Sequence, residues 1–327
     1  MKTTYFIGLM VILMAPNLMV SQDWEVLSPT NSCTNRHENS LVSLGERIFL
    51  VGGRGIKPVE IFDINTQTWS TAAVTPIEMH HFQAITYNNE IYVVGAFTGS
   101  ELFPKEKPVP SMYIYNIETD TWRKGPEIPE NRLRGAAGCL VYQDKIYLVG
   151  GAFEGHWGGH VAWFDEFDPI SNTWKQLPDA PHARDHFGIA IIDDKLYVAG
   201  GRRTYGNIGK YPDLTESSVD VYDFAQQQWT TLPNNLDIPT QRAGASVITL
   251  GKKIVVIGGE SGTQKKAHDE VEAFDVEKMT WEKLPTLNIG RHGTGATLID
   301  GKIYTAAGSG NSGGSPELNS VEVLQIK

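Results

Sequence analysis

The sequence predicts an all-β fold, six four-stranded sheets closed into a ring, and three observations carry that prediction. A pair of short apolar strands ending in a small-residue doublet recurs six times, at Gly52-Gly53, Gly95-Ala96, Gly150-Gly151, Gly200-Gly201, Gly258-Gly259 and Ala307-Gly308. In the five complete copies an aromatic residue and a tryptophan then follow seven positions apart: Phe62 and Trp69, Tyr115 and Trp122, Phe167 and Trp174, Tyr222 and Trp229, Phe274 and Trp281. The sixth copy ends at Lys327 before any tryptophan, while Trp24 stands unclaimed at the start of the chain.

The clearest copy is Arg184 to Gly201, reading RDHFGIAIIDDKLYVAGG. Its apolar runs flank Asp193-Asp194, a dipeptide suited to a tight hairpin, and Gly200-Gly201 stops the second strand. Gly45-Glu46, Asn88-Asn89, Gln143-Asp144, Gly251-Lys252 and Asp300-Gly301 hold the same turn register. A third strand carries the aromatic, turn residues such as Pro169 to Asn172 follow, and a fourth strand carries the tryptophan. In the last repeat Val321 to Ile326 supplies a third strand, so the segment Gln22 to Leu27 is expected to add the missing fourth. Closure of this kind removes an exposed sheet edge. One propeller-like domain over 22–327 follows, with no linker.

Residues 1–21 have the layout of a secretory signal peptide, with Lys2, an apolar run from Tyr5 to Met14, and an expected cut between Ser21 and Gln22. A secreted or periplasmic monomer without a membrane span is therefore expected. The formal net charge of -10 argues against nucleic acid as a partner. Cys33 and Cys139 fall two repeats apart, which argues against a disulfide even in an oxidising compartment.

A repeat of about fifty residues with a glycine doublet and a spaced aromatic and Trp resembles the kelch repeat, the blade of a β-propeller. The stretches RHENSLV, MHHFQAI, WFDEFDPISNTW, LPDAPHARDHF and GRHGTGA are similar to those of exported bacterial kelch proteins. The resemblance implies a six-bladed kelch-type propeller closed by the N-terminal strand. It also implies that the first strands line a central channel and that the loops joining strands two to three and four to one gather at one mouth.

Counting seventeen residues back from the second member of each doublet lands on Arg36, Arg134, Arg184, Arg242 and Arg291, with Met79 in the remaining copy. On the kelch plan these arginines and their neighbours His37, His80, His81, Asp185, His186 and His292 surround the mouth. Arginine at this register is itself common in kelch-like repeats, where the structural alternative is pairing with carboxylates or carbonyls between blades. The loop 154–163, with His156, Trp157, His160 and Trp163, whose flat aromatics beside polar donors suit a sugar ring, and the loop 201–213, with Arg202, Arg203, Tyr205, Lys210 and Tyr211, would overhang it; the loop 97–110 offers length with little chemistry.

Arginine forks and imidazoles around a water-poor mouth suit an anion, which in an exported protein points to an acidic carbohydrate or another small acid. The expected ligand-binding set is Arg36, His37, His80, His81, Arg134, His160, Arg184, Asp185, His186, Arg203, Arg242, Arg291 and His292. No cofactor is expected, and no Cys/His spacing marks a metal site. Asp185-His186 and His37-Glu38 hold acid/base groups, but neighbours in an extended strand point to opposite faces. Sialic-acid epimerases and copper oxidases also resemble kelch propellers, though neither motif maps onto this chain; catalysis against plain binding stays open. The alternative is a protein-interaction module using the propeller face.

Overall fold

The computed structural model describes residues 23–326. The expected signal peptide, residues 1–21, lies outside them. Six four-stranded antiparallel sheets form the blades. The first contains Asn39–Leu44, Arg47–Gly52, Pro58–Asp63 and Thr68–Val74. Ile85–Tyr87, Glu90–Val93, Ser111–Asn116 and Thr121–Glu127 make the second; Gly138–Tyr142, Lys145–Val149, Phe164–Asp168 and Thr173–Leu177 make the third. The fourth holds Gly188–Ile192, Lys195–Ala199, Asp220–Asp223 and Gln228–Thr231, and the fifth Ser246–Leu250, Lys253–Ile257, Val271–Asp275 and Thr280–Leu284. In the sixth, Ala296–Ile299, Lys302–Ala306 and Val321–Gln325 are completed by the N-terminal strand Glu25–Val26.

That closure follows the sequence reading closely. Glu25 lies opposite Val323 and Val26 opposite Glu322, and the Leu27 amide donates to Val321 O at 3.0 Å. Trp24 is buried, and its indole N–H donates to Pro285 O at 2.9 Å, in the tail of the fifth blade. Trp174, Trp229 and Trp281 make the same bond to the blade before their own, through Glu127 O, Pro178 O and Leu236 O. Each complete blade also packs its aromatic on its tryptophan at a centroid distance between 5.1 and 5.3 Å. Trp24 therefore does for the ring what the repeated tryptophans do within it.

The hairpins have the geometry their sequences call for. Both turn residues are left-handed at Asn88-Asn89, Gln143-Asp144, Asp193-Asp194 and Asp300-Gly301, the signature of a type I′ turn that follows the strand twist. At Gly258 a Cβ would stand 2.2 Å from the carbonyl oxygen of Arg291 in the next blade, and the Gly259 amide donates to that oxygen at 2.8 Å. The doublet is thus a place where one blade's backbone touches the next, and a side chain there would separate them. Among the described residues no helix is long and apolar enough to cross a membrane.

Candidate functional site

The five repeat arginines lie beneath the mouth, each buried to 1% exposure or less. Each pairs with a carboxylate on the third strand of its own blade: Arg36 with Glu60, Arg134 with Asp165, Arg184 with Asp220, Arg242 with Glu272 and Arg291 with Glu322. Backbone carbonyls take further donors, Gly52 O and Pro58 O for Arg36, Gly200 O and Ser218 O for Arg184. Burial lowers all five guanidinium pKa values, and the paired carboxylates oppose that shift. The expectation that these arginines meet a ligand is corrected accordingly: they tie the end of strand two to strand three. The sequence held the signal, because every one of these carboxylates stands two residues before the third-strand aromatic or its Leu324 counterpart. In the second blade, where the arginine register is Met79, that position is Tyr113.

Two residues beyond each arginine register the backbone turns left-handed in all six blades: Glu38 (φ 56°), His81 (54°), Ala136 (53°), His186 (55°), Gly244 (63°) and Gly293 (62°). Their backbones form a belt around the channel. His81 N donates to Glu38 O, Ala136 N to His81 O, His186 N to Ala136 O, Gly244 N to His186 O and Gly293 N to Gly244 O, and Asn39 N closes the circle on Gly293 O, over distances from 2.7 to 3.2 Å. A non-glycine residue held left-handed is costly, about 1–3 kcal/mol where the surroundings force it, and such positions gather at functional sites. Here the conformation aims Glu38, His81 and His186 at one level of the channel.

His81, His186 and a third imidazole, His156, meet there. One ligand atom from each lies within 4.8 Å of those of the other two, and all three residues are buried. His156 arrives from the loop after the third blade's second strand and packs edge-on against both His81 and His186, each at a centroid distance of 4.9 Å. Its Nδ1 bonds Glu106 Oε1 at 2.9 Å, and its backbone amide donates to Glu106 Oε2 at 3.2 Å. His186 Nδ1 bonds Asp185 Oδ1 at 2.5 Å, while the Thr204 amide and hydroxyl hold the same carboxylate at 2.9 and 2.5 Å. His81 Nδ1 contacts His80 Nδ1, and His81 Nε2 lies 3.2 Å from Glu38 Oε2.

Burial and its neighbours set the protonation states. Burial raises the Asp185 carboxyl, but the hydrogen bonds from His186 and Thr204, with the charge of Arg202, outweigh it and hold the group at about 2. The same opposition, with His156 as partner, holds Glu106 at about 2. Glu38 is also kept well below the usual range, burial being overcome by His81, His292 and His37. His80, His81 and His186 are all pushed down, foremost by burial.

A cavity of about 450 Å³ opens above the cluster, lined by His37, Glu38, Arg54, Phe103, His156, Arg202, Tyr211, Glu260 and His292 among others. Phe103 stacks on Tyr211 with centroids 5.5 Å apart and 28° between planes, and the Arg54 guanidinium lies 5.7 Å over the Phe103 ring. Arg202 is paired with Glu260 at 2.5 Å, Arg54 with Glu106 at 3.2 Å and His37 with Glu317 at 2.7 Å. His292 Nε2 lies 2.8 Å from Asn311 O and Gly313 O. Below the cavity, a narrower space of about 60 Å³ is lined by Glu38, His81 and His186. The far end of the channel opens into about 380 Å³ lined by Ser40, Gln83, Ser246, Thr294 and apolar strand residues without a charged side chain.

Several expectations change here. The loop 97–110 supplies both Phe103 and the buried Glu106, so it carries chemistry after all. The aromatic wall is Phe103 and Tyr211, whereas Trp163 is spent on Arg132 and Phe153, and Trp157 lies under Lys105. Asp185 and His186 do cooperate, because the left-handed residue breaks strand alternation. His160 packs edge-on against Tyr205 at 4.6 Å outside the cluster, and Arg203 is exposed. The absence of a metal motif from the sequence is no guide, because the three imidazoles come from three blades. Both cysteines are free and buried, and Cys33 donates to Asn319 O.

Comparison with known proteins agrees with this architecture. A solved structure titled "Structure of YjhT" superposes with a TM-score of 0.75 at 15% identity, covering 91% of this chain and 97% of that one, which shows the fold. "Kelch-like protein terF" of Aspergillus terreus is 29% identical over 290 residues, 84% of this chain and 61% of its own length. "N-(sulfonatooxy)prop-2-enimidothioate sulfolyase" of Thlaspi arvense is 24% identical over 306 residues, 82% of this chain and 86% of its own length. The chain spans less than two thirds of terF and 44% of "Kelch-like protein 38" of Rattus norvegicus. The model of the Attractin/LZTR1 beta-propeller family matches residues 14–266, more than half of the sequence, and the chain belongs to that family of kelch-repeat propellers.

Proposed function

We propose that the propeller binds a small, hydroxylated acid of sugar-acid size in the mouth cavity above the belt. The observation that carries this reading is the cavity itself: about 450 Å³, with the stacked Phe103 and Tyr211 on one side and Arg54 beside them. That volume is within the range usual for small-molecule sites, and a flat aromatic wall suits a ring while a guanidinium fork suits a carboxylate. One ion pair, to Glu106, uses part of the Arg54 donor set, and the side chain is partly exposed. Export belongs to the same proposal, supported by the Lys2 and apolar-run layout of the first residues.

A thermal-shift and calorimetric screen of sialic, uronic and sulfated sugars tests the reading. A saturable response is expected from the wild type, and Phe103→Ala with Tyr211→Ala should reduce affinity at least about 10-fold, the effect of losing roughly 1.4 kcal/mol of contact. Following the bound sugar by NMR would show whether it is also isomerised. The repeat arginines are unsuitable for this test, since their loss strikes the fold.

A protein partner is the second reading, favoured by Leu102, Phe103, Phe153 and Ile208, which are exposed on the loops of this same face. Silence from every acidic sugar, together with a partner whose capture depends on Leu102 and Ile208, would establish it instead.

A further inference from the structure

We propose that His81, His156 and His186 form a binding site for one divalent first-row transition metal, with its open coordination position facing the mouth cavity. The argument starts from two nitrogen atoms. His156 Nε2 and His186 Nε2 stand 3.1 Å apart, buried and facing each other. Each ring gives its Nδ1 to a carboxylate, Glu106 for His156 and Asp185 for His186. A carboxylate only accepts, so Nδ1 is the donor of each pair, and in the neutral form of an imidazole that leaves Nε2 a bare lone pair. Two lone pairs pointed at each other in a buried site repel unless a cation lies between them.

Geometry favours a metal over a proton as that cation. Nitrogens about 2.0–2.1 Å from one ion stand roughly 3–3.4 Å apart at octahedral to tetrahedral angles, which brackets the observed separation. A third imidazole, that of His81, converges on the same volume, with one ligand atom within 4.8 Å of those of the other two. A shared proton needs two nitrogens and gives no role to the third. Imidazole-rich donor sets suit zinc, copper, iron and nickel, and a carboxylate on the far nitrogen of a ligating histidine is the usual means of fixing its tautomer.

Charge is the second, independent observation. Three buried carboxylates, Glu106, Asp185 and Glu260, pair with the guanidinium groups of Arg54 and Arg202, and Glu38 faces only His81 and His292 among its ion-pair partners, so with neutral imidazoles the site is formally two units negative. A divalent ion would bring that balance to zero. Glu38 Oε2, 3.2 Å from His81 Nε2, is placed beside the ion to complete its coordination or to hold a bound water. An anionic ligand entering the cavity would then meet a metal instead of a net negative floor, which deepens the sugar-acid reading without depending on it.

The test is a cobalt(II) titration of the intact protein after chelator treatment, with no organic ligand present, so its outcome is separate from that of the sugar screen. One equivalent per chain should bind with the visible bands of a low-coordinate nitrogen site, and zinc should displace it. His156→Ala and His186→Ala should abolish the bands, Asp185→Asn and Glu106→Gln should weaken binding roughly 10–100-fold, and His160→Ala should leave it unchanged. Circular dichroism and thermal melts confirm folding, and Ala136 already shows alanine at the His186 register. Absence of cobalt bands in folded wild type, or bands that survive loss of His156 and His186, overturns the proposal, as does NMR showing a doubly protonated imidazole at this pair in metal-saturated protein.

Discussion

Asp185 and His186 are adjacent in the chain yet bond side by side, Oδ1 to Nδ1 at 2.5 Å, because His186 sits at φ 55° where an extended strand would have thrown the two side chains apart. The same left-handed step occurs once per blade, and the belt of backbone hydrogen bonds that it creates is what holds the site level. At this register structural need and functional opportunity coincide: the backbone requirement is common to six blades, while the side chain is free to differ.

That separation predicts a tolerant fold and an intolerant site. Ala136 occupies the register without loss of the belt, so His186→Ala should melt within a few degrees of wild type while losing the cobalt bands expected of the intact protein. Gly293 is the opposite case: a Cβ there would stand 2.9 Å from the Glu38 carboxyl carbon. Gly293→Ala should cost about 1–3 kcal/mol in urea denaturation, from strain and displacement of Glu38.

The buried pairs should show strong coupling. Arg242→Met leaves Glu272 charged and buried and should destabilise by about 3–5 kcal/mol. Adding Glu272→Gln removes the stranded charge, so the double variant should be less destabilised than the two single effects summed. A double-mutant cycle by chemical denaturation reads the difference directly; additive losses would contradict the pairing.

Acid should loosen the rim near Glu78. This carboxylate accepts the amides of Gly55, Gly99 and Ser100 at 2.5, 2.8 and 2.9 Å, anchoring the loop that carries Phe103 and Glu106. Burial alone would raise its pKa, but hydrogen bonds from Ser100 and Gly55 outweigh that and lower it to about 2. A depressed folded-state pKa contributes stability that is fully present above the ordinary value of about 4.5 and lost as pH falls toward about 2. The melting-temperature gap between wild type and Glu78→Gln should be widest above pH 5 and narrow steadily below it. A gap independent of pH would show that the carboxylate charge is not what holds the loop.

Neither thiol should react in the native state. Burial raises both Cys33 and Cys139 to about 12, and no disulfide joins them. Thiol reagents should label both residues only on unfolding, with identical mobility in reducing and non-reducing gels.

How much of this was legible in the sequence depends on the scale of the interaction. Blade number, hairpin turns and closure by Trp24 were readable because each rests on a local pattern repeated at fixed spacing. The mouth was readable as a place, since repetition implies that equivalent positions share a face. Its chemistry was not. The carboxylate partners of the arginines stood at a fixed offset from each third-strand aromatic, but recognising them requires knowing which strands adjoin. Glu106, in a loop of uneven length, has no counterpart in any repeat, and nothing in its local sequence aims it at His156. The Asp185 to His186 bond was hidden by a backbone conformation that alternation arguments exclude for non-glycine residues.

The most direct measurement of the account is anomalous diffraction at the zinc edge from a crystal of the intact protein grown or soaked with zinc. A single strong peak enclosed by His81, His156 and His186, opening toward Phe103 and Tyr211, is the predicted result. Density at surface carboxylates with none at the belt, or the three imidazoles turned away from one another in ordered density, would contradict it.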